Sequence, residues 1–183
     1  MMSKQHILGN PRPTLRKTPA VADDTGSATG HTEVMDPASP YEPLRLSRIL
    51  EILETTTTIA MVGASARAER PSWQVMSFLI ETGFTVVPVN PGLAGQTLLG
   101  QTVYAELADI TCPVDMVDVF RPSDACPAIA TEAVAIGART LWLQEGVVSD
   151  EAAAIAAGAG LDVIMDRCPK KDIEAHPGRW PSV

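Results

Sequence analysis

Residues 59–75, IAMVGASARAERPSWQV, decide the fold. The apolar run Ile59–Val62 is typical of a buried strand, and the small residues at 63–65 indicate a tight turn after it. Pro71 suits the first turn of a helix, where its missing N–H leaves no hydrogen bond unmade. A strand, a loop of small residues and a helix, in this order, resemble the opening of a nucleotide-binding α/β domain.

The loop between this strand and helix favours an anionic ligand. A helix start offers unpaired N–H groups and a positive dipole end, and Arg67 or Arg70 could add charge. A nicotinamide dinucleotide site would need three glycines here and an acidic residue near the end of the second strand. This chain has one glycine, Gly63, and its second strand ends in Val89-Asn90-Pro91, so NAD is disfavoured. The alternative is that Gly63 only turns the chain and the arginines are solvated.

The rest of the chain alternates between apolar runs and helical patterns. Leu46–Leu53 has helical spacing, and we expect Pro43 in the first turn of that helix. Four further predicted helices span about 71–83, 104–110, 124–137 and 149–159. The five predicted strands are Ile59–Val62, Thr85–Val89, Val114–Phe120, Thr140–Leu143 and Leu161–Met165. This pattern predicts an α/β fold, a doubly wound, mostly parallel five-stranded Rossmann-like sheet with helices on both faces.

Polar or turn-forming residues follow four of the predicted strands. Ligands of such sheets bind beyond the carboxyl ends of the strands, so we expect these residues to meet in one site. The strand-end residues are Gly63, Ala64, Ser65, Asn90, Pro91, Phe120, Arg121, Pro122, Gln144, Glu145 and Gly146.

Composition narrows the classes of partner and compartment. The chain has 183 residues and a formal charge of −8, which argues against nucleic acid or an anionic membrane as partner. Residues 1–40 hold four basic and four acidic residues, so the whole excess lies on residues 41–183. The first 40 residues show no apolar periodicity, which predicts a disordered tail before one ligand-binding domain.

The cysteines and histidines form no metal-binding pattern, so we predict no metal. Three widely spaced cysteines do not suit a disulfide framework. No signal peptide is evident at the start, and no apolar run is long enough to span a bilayer. These features predict a cytoplasmic protein without membrane contact.

Six segments of the chain, taken in order, match the pattern of a known family. They are VGASARAERPSWQV (62–75), VVPVNP (86–91), LLGQTVYAELADI (98–110), VDMVDVFRPSDACPAI (114–129), GARTLWLQEGVVSDEAA (137–153) and GLDVIMDRCPK (160–170). Through these segments the chain resembles the small, stand-alone CoA-binding proteins, and the likeness spans roughly residues 44–171. The Rossmann-like domain of that family is similar to the CoA-binding domain of the succinyl-CoA synthetase α subunit and of ADP-forming acyl-CoA synthetases.

The resemblance implies coenzyme A as ligand and assigns roles to matching positions. It implies that Ser65, Ala66, Arg70 and Ser72 cradle phosphates. Asn90, Pro91, Phe120 and Arg121 would flank the nucleotide, and Gln144, Glu145 and Gly146 would lie beside the pantetheine arm. Phe120 also offers a flat apolar face for adenine, and Arg121 a fork for a phosphate, although either could be structural.

Two departures from the family pattern limit what can be carried over. Pro122 and Ser123 follow Arg121 where the family often has a second basic residue, so the resemblance assigns no second phosphate-binding cation here. The ending around His176 contains extra residues, so no role passes to that histidine.

Five conspicuous side chains have a structural explanation. We expect Trp73 and Trp142 in the core, and Cys168 as a small buried hydrophobe rather than a thiol-exchange partner. Asp115 and Asp118 lie three apart on a predicted strand and therefore face opposite sides, which excludes an acid/base pair.

Three hypotheses about function remain open. The first is a CoA-binding or regulatory module without chemistry of its own. The second is an accessory subunit of an acyl-CoA synthetase-type enzyme, since the CoA domain of those enzymes is the part that this chain resembles. The third is a sensor of NAD(H) or another nucleotide. The sequence leaves open whether any reaction is catalysed, and it names no protein partner.

Overall fold

Residues 43–180 are described by the structure, a computed structural model. Its five helices are α1 (Leu46–Thr55), α2 (Pro71–Glu81), α3 (Cys126–Ala135), α4 (Asp150–Gly158) and α5 (Pro169–Ala175). Its seven strands are β1 (Thr58–Val62), β2 (Thr85–Val89), β3 (Thr97–Leu98), β4 (Gln101–Thr102), β5 (Met116–Val119), β6 (Thr140–Leu143) and β7 (Asp162–Ile164).

Five strands form one parallel sheet in the order β2-β1-β5-β6-β7. The chain runs outward from β1 to β2 and then crosses back to place β5 on the other side of β1. The strand order therefore reverses between β1 and β5, which is where a doubly wound sheet opens a crevice at its carboxyl edge. The predicted α/β fold is confirmed.

Alternating side chains along the strands pack into two hydrophobic cores, one on each face of the sheet. Ile59, Met61 and Met116 point to the face covered by α1, α2 and α5. Ala60 and Val117 point to the opposite face, covered by α3 and α4. Because both faces of the sheet are covered, the predicted strands are mostly apolar instead of alternating with polar residues.

The outer edge of β2 is covered by the segment that follows it. The N–H of Asn90 donates to the carbonyl of Tyr104 (2.9 Å), and the N–H of Tyr104 donates to the carbonyl of Pro88 (2.9 Å). The antiparallel pair β3–β4 lies between these two residues in the chain. Because Tyr104 is extended against β2, the helix predicted over 104–110 is wrong, and only a single 3-10 turn forms at Leu107–Asp109.

Two further elements differ from the sequence-based expectations. Helix α1 begins at Leu46 after Arg45, so Pro43 lies outside its first turn, contrary to prediction. Helix α5 was not predicted. The predicted tail, residues 1–40, lies outside the described residues. Within residues 43–180, no helix is long and apolar enough to cross a membrane.

Candidate functional site

Gly63 joins the loops after β1 and β5 at the point where the strand order reverses. Its φ of +91° is one that residues with a side chain rarely adopt, and a Cβ built there would lie 2.8 Å from the carbonyl oxygen of Phe120. The same Cβ would lie 3.1 Å from Cδ of Arg121. Gly63 therefore does more than turn the chain, because it lets the two loops touch.

Three clefts formed by residues 43–180 open around this contact, and we name each by the helix beside it. The α2 cleft, about 630 Å³, runs along the loop 63–72 to Asn90 and Phe120. No side chain caps the first turn of α2, and Pro71 has no N–H, so the N–H of Ser72 is left for a ligand. Arg67 and Arg70 line this cleft and are exposed. The α2 cleft therefore has the donors and charge that suit a phosphate.

The α3 cleft, about 630 Å³, lies between the ends of β1 and β2 and helix α3. Ala125, Ala128 and Ile129 give it an apolar wall. Glu106, Glu132 and Arg121 bring both signs of charge to its lining. This cleft suits an uncharged ring with polar groups at its rim better than it suits a phosphate.

The α5 cleft, about 590 Å³, runs from Phe120 and Arg121 past Gln144 to Cys168 and helix α5. Across it, Nζ of Lys171 lies 2.7 Å from each carboxylate oxygen of Glu145, which ties α5 to the turn after β6. Both side chains of this ion pair are largely exposed, so its main effect is to shape the cleft rather than to stabilise the fold.

Both the nitrogen and the oxygen of the Asn90 side-chain amide are hydrogen-bonded to the backbone. Its Nδ2 donates to the carbonyl of Ala64 (2.7 Å), and its Oδ1 accepts from the N–H of Gly92 (2.9 Å). The residue thereby ties the end of β2 to the loop after β1. Its side chain shapes the α2 and α3 clefts that it lines.

Arg70 and Arg121 are exposed cations that make no ion pair within residues 43–180. By contrast, Arg48, Arg139, Arg167 and Arg179 are each paired with a carboxylate. Arg121 lines both the α3 and the α5 clefts, and Arg70 lines the α2 cleft. Their guanidinium groups are therefore available to an anion that spans the clefts.

A buried carboxyl lies beneath the α5 cleft. Asp118 is fully buried, and its Oδ1 accepts from Nε2 of Gln144 (2.8 Å). Burial raises the pKa of Asp118 to about 7, and the hydrogen bond from Gln144 opposes part of that rise. Asp115 precedes β5 and lies at the opposite end of the sheet, where its Oδ2 accepts hydrogen bonds from the N–H groups of Thr57 and Thr58. The two aspartates therefore do not form an acid/base pair.

Cys168 lines the α5 cleft but is buried. Burial raises the pKa of its thiol, although the N–H groups of Lys170 and Lys171 act in the opposite direction. A protonated, buried thiol is a poor nucleophile, which agrees with the expectation that Cys168 packs as a hydrophobe.

The two tryptophans that were expected in the core differ in burial. Trp142 is fully buried as predicted, and its Nε1 donates to the carbonyl of Arg167 (2.6 Å). Trp73 is only half-buried.

The structure brings nearly all of the sequence-predicted residues to the three clefts. The lining includes Gly63, Ala64, Ser65, Ala66, Arg70, Ser72, Asn90, Pro91, Phe120, Arg121, Gln144 and Glu145. Gly146 lines none of the three, and its N–H donates to Oδ1 of Asp166 (2.6 Å). Phe120 packs against a core on one side and lines two clefts on the other.

Sequence reasoning missed the lining contributed by Glu106, which precedes the 3-10 turn, and by helices α3 and α5. Glu106, Ala128 and Glu132 carry no motif, and helical spacing alone could only have placed the last two on an exposed face of α3. Lys170 and Lys171 lie on α5, a helix of seven residues that is too short for a clear periodic signal.

The chain is similar to several known proteins. A family model described as a CoA binding domain matches residues 57–174. The uncharacterised protein YneT of Bacillus subtilis (strain 168) is 37% identical over 124 residues, which is 68% of this chain and 90% of YneT.

Two solved structures extend the comparison. A Thermus thermophilus protein is 34% identical, with a TM-score of 0.69, covering 72% of this chain and 98% of that one. The dinucleotide-forming acetyl-coenzyme A synthetase 1 of Ca. Korarchaeum cryptofilum is 26% identical, with a TM-score of 0.55, covering 62% of this chain and 27% of that one.

Proposed function

Because this chain belongs to the CoA binding domain family, we propose that it binds coenzyme A or an acyl-CoA at the carboxyl edge of its sheet. In this proposal it acts as a binding or regulatory module without chemistry of its own. The observation that carries the proposal is that three clefts meet at the Gly63–Phe120 contact. Arg70 and Arg121 lie beside them and form no ion pair with any other residue in the part of the chain that the structure describes.

The phosphates of CoA would lie in the α2 cleft and at Arg121. Arg70, the N–H of Ser72 and the small side chains of Ser65 and Ala66 line this cleft, so a phosphate can approach the backbone closely. The domain as a whole is acidic, so capture depends on these local donors rather than on long-range attraction.

The uncharged parts of CoA would occupy the other two clefts. Adenine is a flat ring, and the apolar wall of the α3 cleft or the exposed side of Phe120 can cover it. The long pantetheine arm suits the α5 cleft, where Gln144, Glu145 and Val147 form one side. This arrangement uses every strand end that the sequence singles out.

NAD is the weaker ligand on the same geometry. A ribose hydroxyl pair is usually held by a carboxylate at the end of the second strand, and this chain has Asn90 there. Both ends of the Asn90 amide are bonded to Ala64 and Gly92, so the side chain has little left to offer a ribose.

A role as accessory subunit of an acyl-CoA synthetase-type enzyme is the second candidate. The likeness to the acetyl-coenzyme A synthetase favours it, because this chain corresponds to 27% of that chain. The test is to ask whether the protein co-purifies with, or changes the rate of, such an enzyme from the same cell. Absence of both effects removes this candidate and leaves CoA binding intact.

Calorimetry of the purified protein with CoA, acetyl-CoA, NAD and ATP side by side tests the ligand. We expect tight binding of CoA or acetyl-CoA and weaker binding of NAD and ATP. A ligand at 100 times its dissociation constant adds about 2.7 kcal/mol to the free energy of unfolding, so thermal denaturation is a second readout. Tight NAD binding with no response to CoA would overturn the proposal.

The proposed lack of chemistry has its own test. After long incubation with the protein, acetyl-CoA should be recovered as the intact thioester, measured by mass spectrometry against a protein-free control. Protein-dependent hydrolysis or acyl transfer would show that the chain is an enzyme.

A further inference from the structure

Asp118 is a residue that the packing of the fold does not explain. It lies in register with Met61 of β1 and Trp142 of β6, and it is fully buried. Within residues 43–180, its Oδ2 is the only buried side-chain nitrogen or oxygen without a hydrogen-bond partner. A buried polar atom without a partner costs free energy of folding, so an apolar residue would serve the core better.

The other oxygen of Asp118 fixes the orientation of Gln144. Oδ1 accepts a hydrogen bond from Nε2 of Gln144 at 2.8 Å. A carboxylate only accepts, so Nε2 of Gln144 faces inward when Asp118 is ionised. It also faces inward when the proton is on Oδ2, because Oδ1 then still accepts. Gln144 lines the α5 cleft, and its Oε1 is the atom left to face that cleft.

Oε1 of Gln144 differs from the other polar groups of the α5 cleft. Glu145 is bound to Lys171, and Lys170 is shared between Glu174 and the ring of Phe78. The amide of Gln74 points its Nε2 toward the carbonyl of Ala68 at 3.5 Å. Gln144 therefore supplies a neutral, nearly buried acceptor, which suits an uncharged N–H donor on a ligand.

We propose that Asp118 is a positioning residue that holds Gln144 so that its Oε1 accepts a hydrogen bond from an amide N–H of the ligand's arm. The proposal rests on the proposed function, because the pantetheine arm of CoA contains amide groups and the adenine nucleotide part does not. The Asp118–Gln144 pair would thus favour ligands with an arm over nucleotides without one.

The test compares CoA with adenosine 3′,5′-bisphosphate, which lacks the arm, by calorimetry on the full chain. Asp118→Leu is similar in shape but removes the acceptor for Gln144, and Gln144→Met removes Oε1 directly. Asp115→Asn is the matched control, because Asp115 lies at the other end of the sheet. Thermal denaturation of each free variant reports folding separately.

We expect Asp118→Leu and Gln144→Met to weaken CoA about tenfold while leaving the affinity for the bisphosphate unchanged. Asp118→Leu should melt close to wild type, because removal of the unpartnered Oδ2 offsets the loss of the acceptor for Nε2 of Gln144. Asp115→Asn should keep the wild-type ratio of the two affinities. A melting temperature that is maintained while arm affinity is lost is not the signature of a merely structural residue.

Two results would overturn the proposal. The first is equal change, or no change, in the affinities for CoA and the bisphosphate in Asp118→Leu. The second is unaltered CoA affinity in Gln144→Met, which decides the matter even if Asp118→Leu does not fold. Failure of the wild-type protein to bind CoA is a different outcome, because it removes the proposed function itself and this proposal with it.

Discussion

Gly63 shows how one residue can serve both the fold and the site. A side chain there would meet the carbonyl of Phe120 at 2.8 Å, and carbonyl oxygens in a loop held by the sheet cannot move far. The N–H of Gly63 donates to Val89 of β2 (3.0 Å), and the N–H of Phe120 donates to Val62 of β1 (2.8 Å). Three strand ends are therefore locked together at this one position.

Replacing Gly63 by alanine should lower the free energy of unfolding by about 2–4 kcal/mol, because backbone strain and a clash add together. Gly137→Ala is the control, since Gly137 also has a positive φ (+74°) but open space around it. That variant should lose only about 1 kcal/mol. Urea denaturation measures both values, and equal losses would show that contact with Phe120 is unimportant.

Arg121→Ala should weaken CoA binding about tenfold to a hundredfold, because a charge-assisted hydrogen bond to phosphate is lost. The affinity of the wild type should fall as ionic strength rises, and that of the variant should fall less steeply. Calorimetry at several salt concentrations measures both. The melting temperature of the free protein should not change, because Arg121 is exposed and forms no ion pair within residues 43–180.

Arg48→Ala is the matched control for Arg121→Ala. Arg48 is exposed and pairs with Glu51 and Asp162 near the amino end of the sheet, away from the clefts. CoA affinity should be unaltered in this variant. If Arg121→Ala instead lowers the melting temperature and leaves CoA affinity unchanged, Arg121 has a structural role and is not part of the binding site.

At the scale of the element, α5 is short but firmly docked. Arg167 donates through Nε and Nη2 to both carboxylate oxygens of Asp172, at 2.7 and 2.6 Å. Asp172 is buried, and Ile173 packs into the core beside Trp180. Because α5 also carries Lys171, this anchor determines how one wall of the α5 cleft is placed.

Asp172→Ala should lower the free energy of unfolding by about 1–2 kcal/mol, with the value reduced by the partial exposure of Arg167. Glu174→Ala on the same helix is the control, because its contact with Lys170 is long (3.8 Å) and largely exposed. That variant should remain within about 0.5 kcal/mol of wild type. Hydrogen exchange should show faster exchange in α5 of Asp172→Ala alone, and protection unchanged from wild type would contradict the anchor.

Elements were predictable where the chain gives a strong periodic signal. All five strands of the main sheet follow from apolar runs. Helices α1, α2, α3 and α4 follow from helical spacing and, for α2, from Pro71 at its start, although Pro43 was wrongly placed in the first turn of α1. The helix predicted over 104–110 was wrong because the backbone of Tyr104 is hydrogen-bonded to β2 and to Asn90 after it. The spacing of apolar residues within a segment does not reveal such a long-range contact. The same limit applies to the site. The strand-end residues were found from the sequence, but the hydrogen bond between Asp118 and Gln144 depends on how β5 and β6 pack side by side.

At the scale of the whole molecule, Asp118 gives stability an unusual dependence on pH. Its pKa is raised from 3.8 to about 7 in the folded protein. Between these values the folded state holds a proton that the unfolded state has lost, so the free energy of unfolding falls as pH rises through this range. The pKa of Asp115 is lowered, and its contribution is instead lost as pH falls below its ordinary value.

Comparison with Asp118→Leu isolates this effect, because Asp115 is common to both proteins. The difference in unfolding free energy should shift in favour of the variant as pH rises from 4 to 7, and become constant above about pH 8. Urea denaturation in a series of buffers measures it. A difference that does not vary with pH would show that Asp118 is ionised in the fold throughout.

The covered edge of β2 also bears on how copies of this protein behave at high concentration. In a parallel ladder alternate residues turn their backbone groups outward, and on β2 these are Val86 and Pro88. Pro88 has no N–H to donate, and its carbonyl is taken by Tyr104, so Val86 is left as the outward-facing position within the strand. A further strand could make few bonds there, which protects the chain against edge-to-edge aggregation from this side of the sheet.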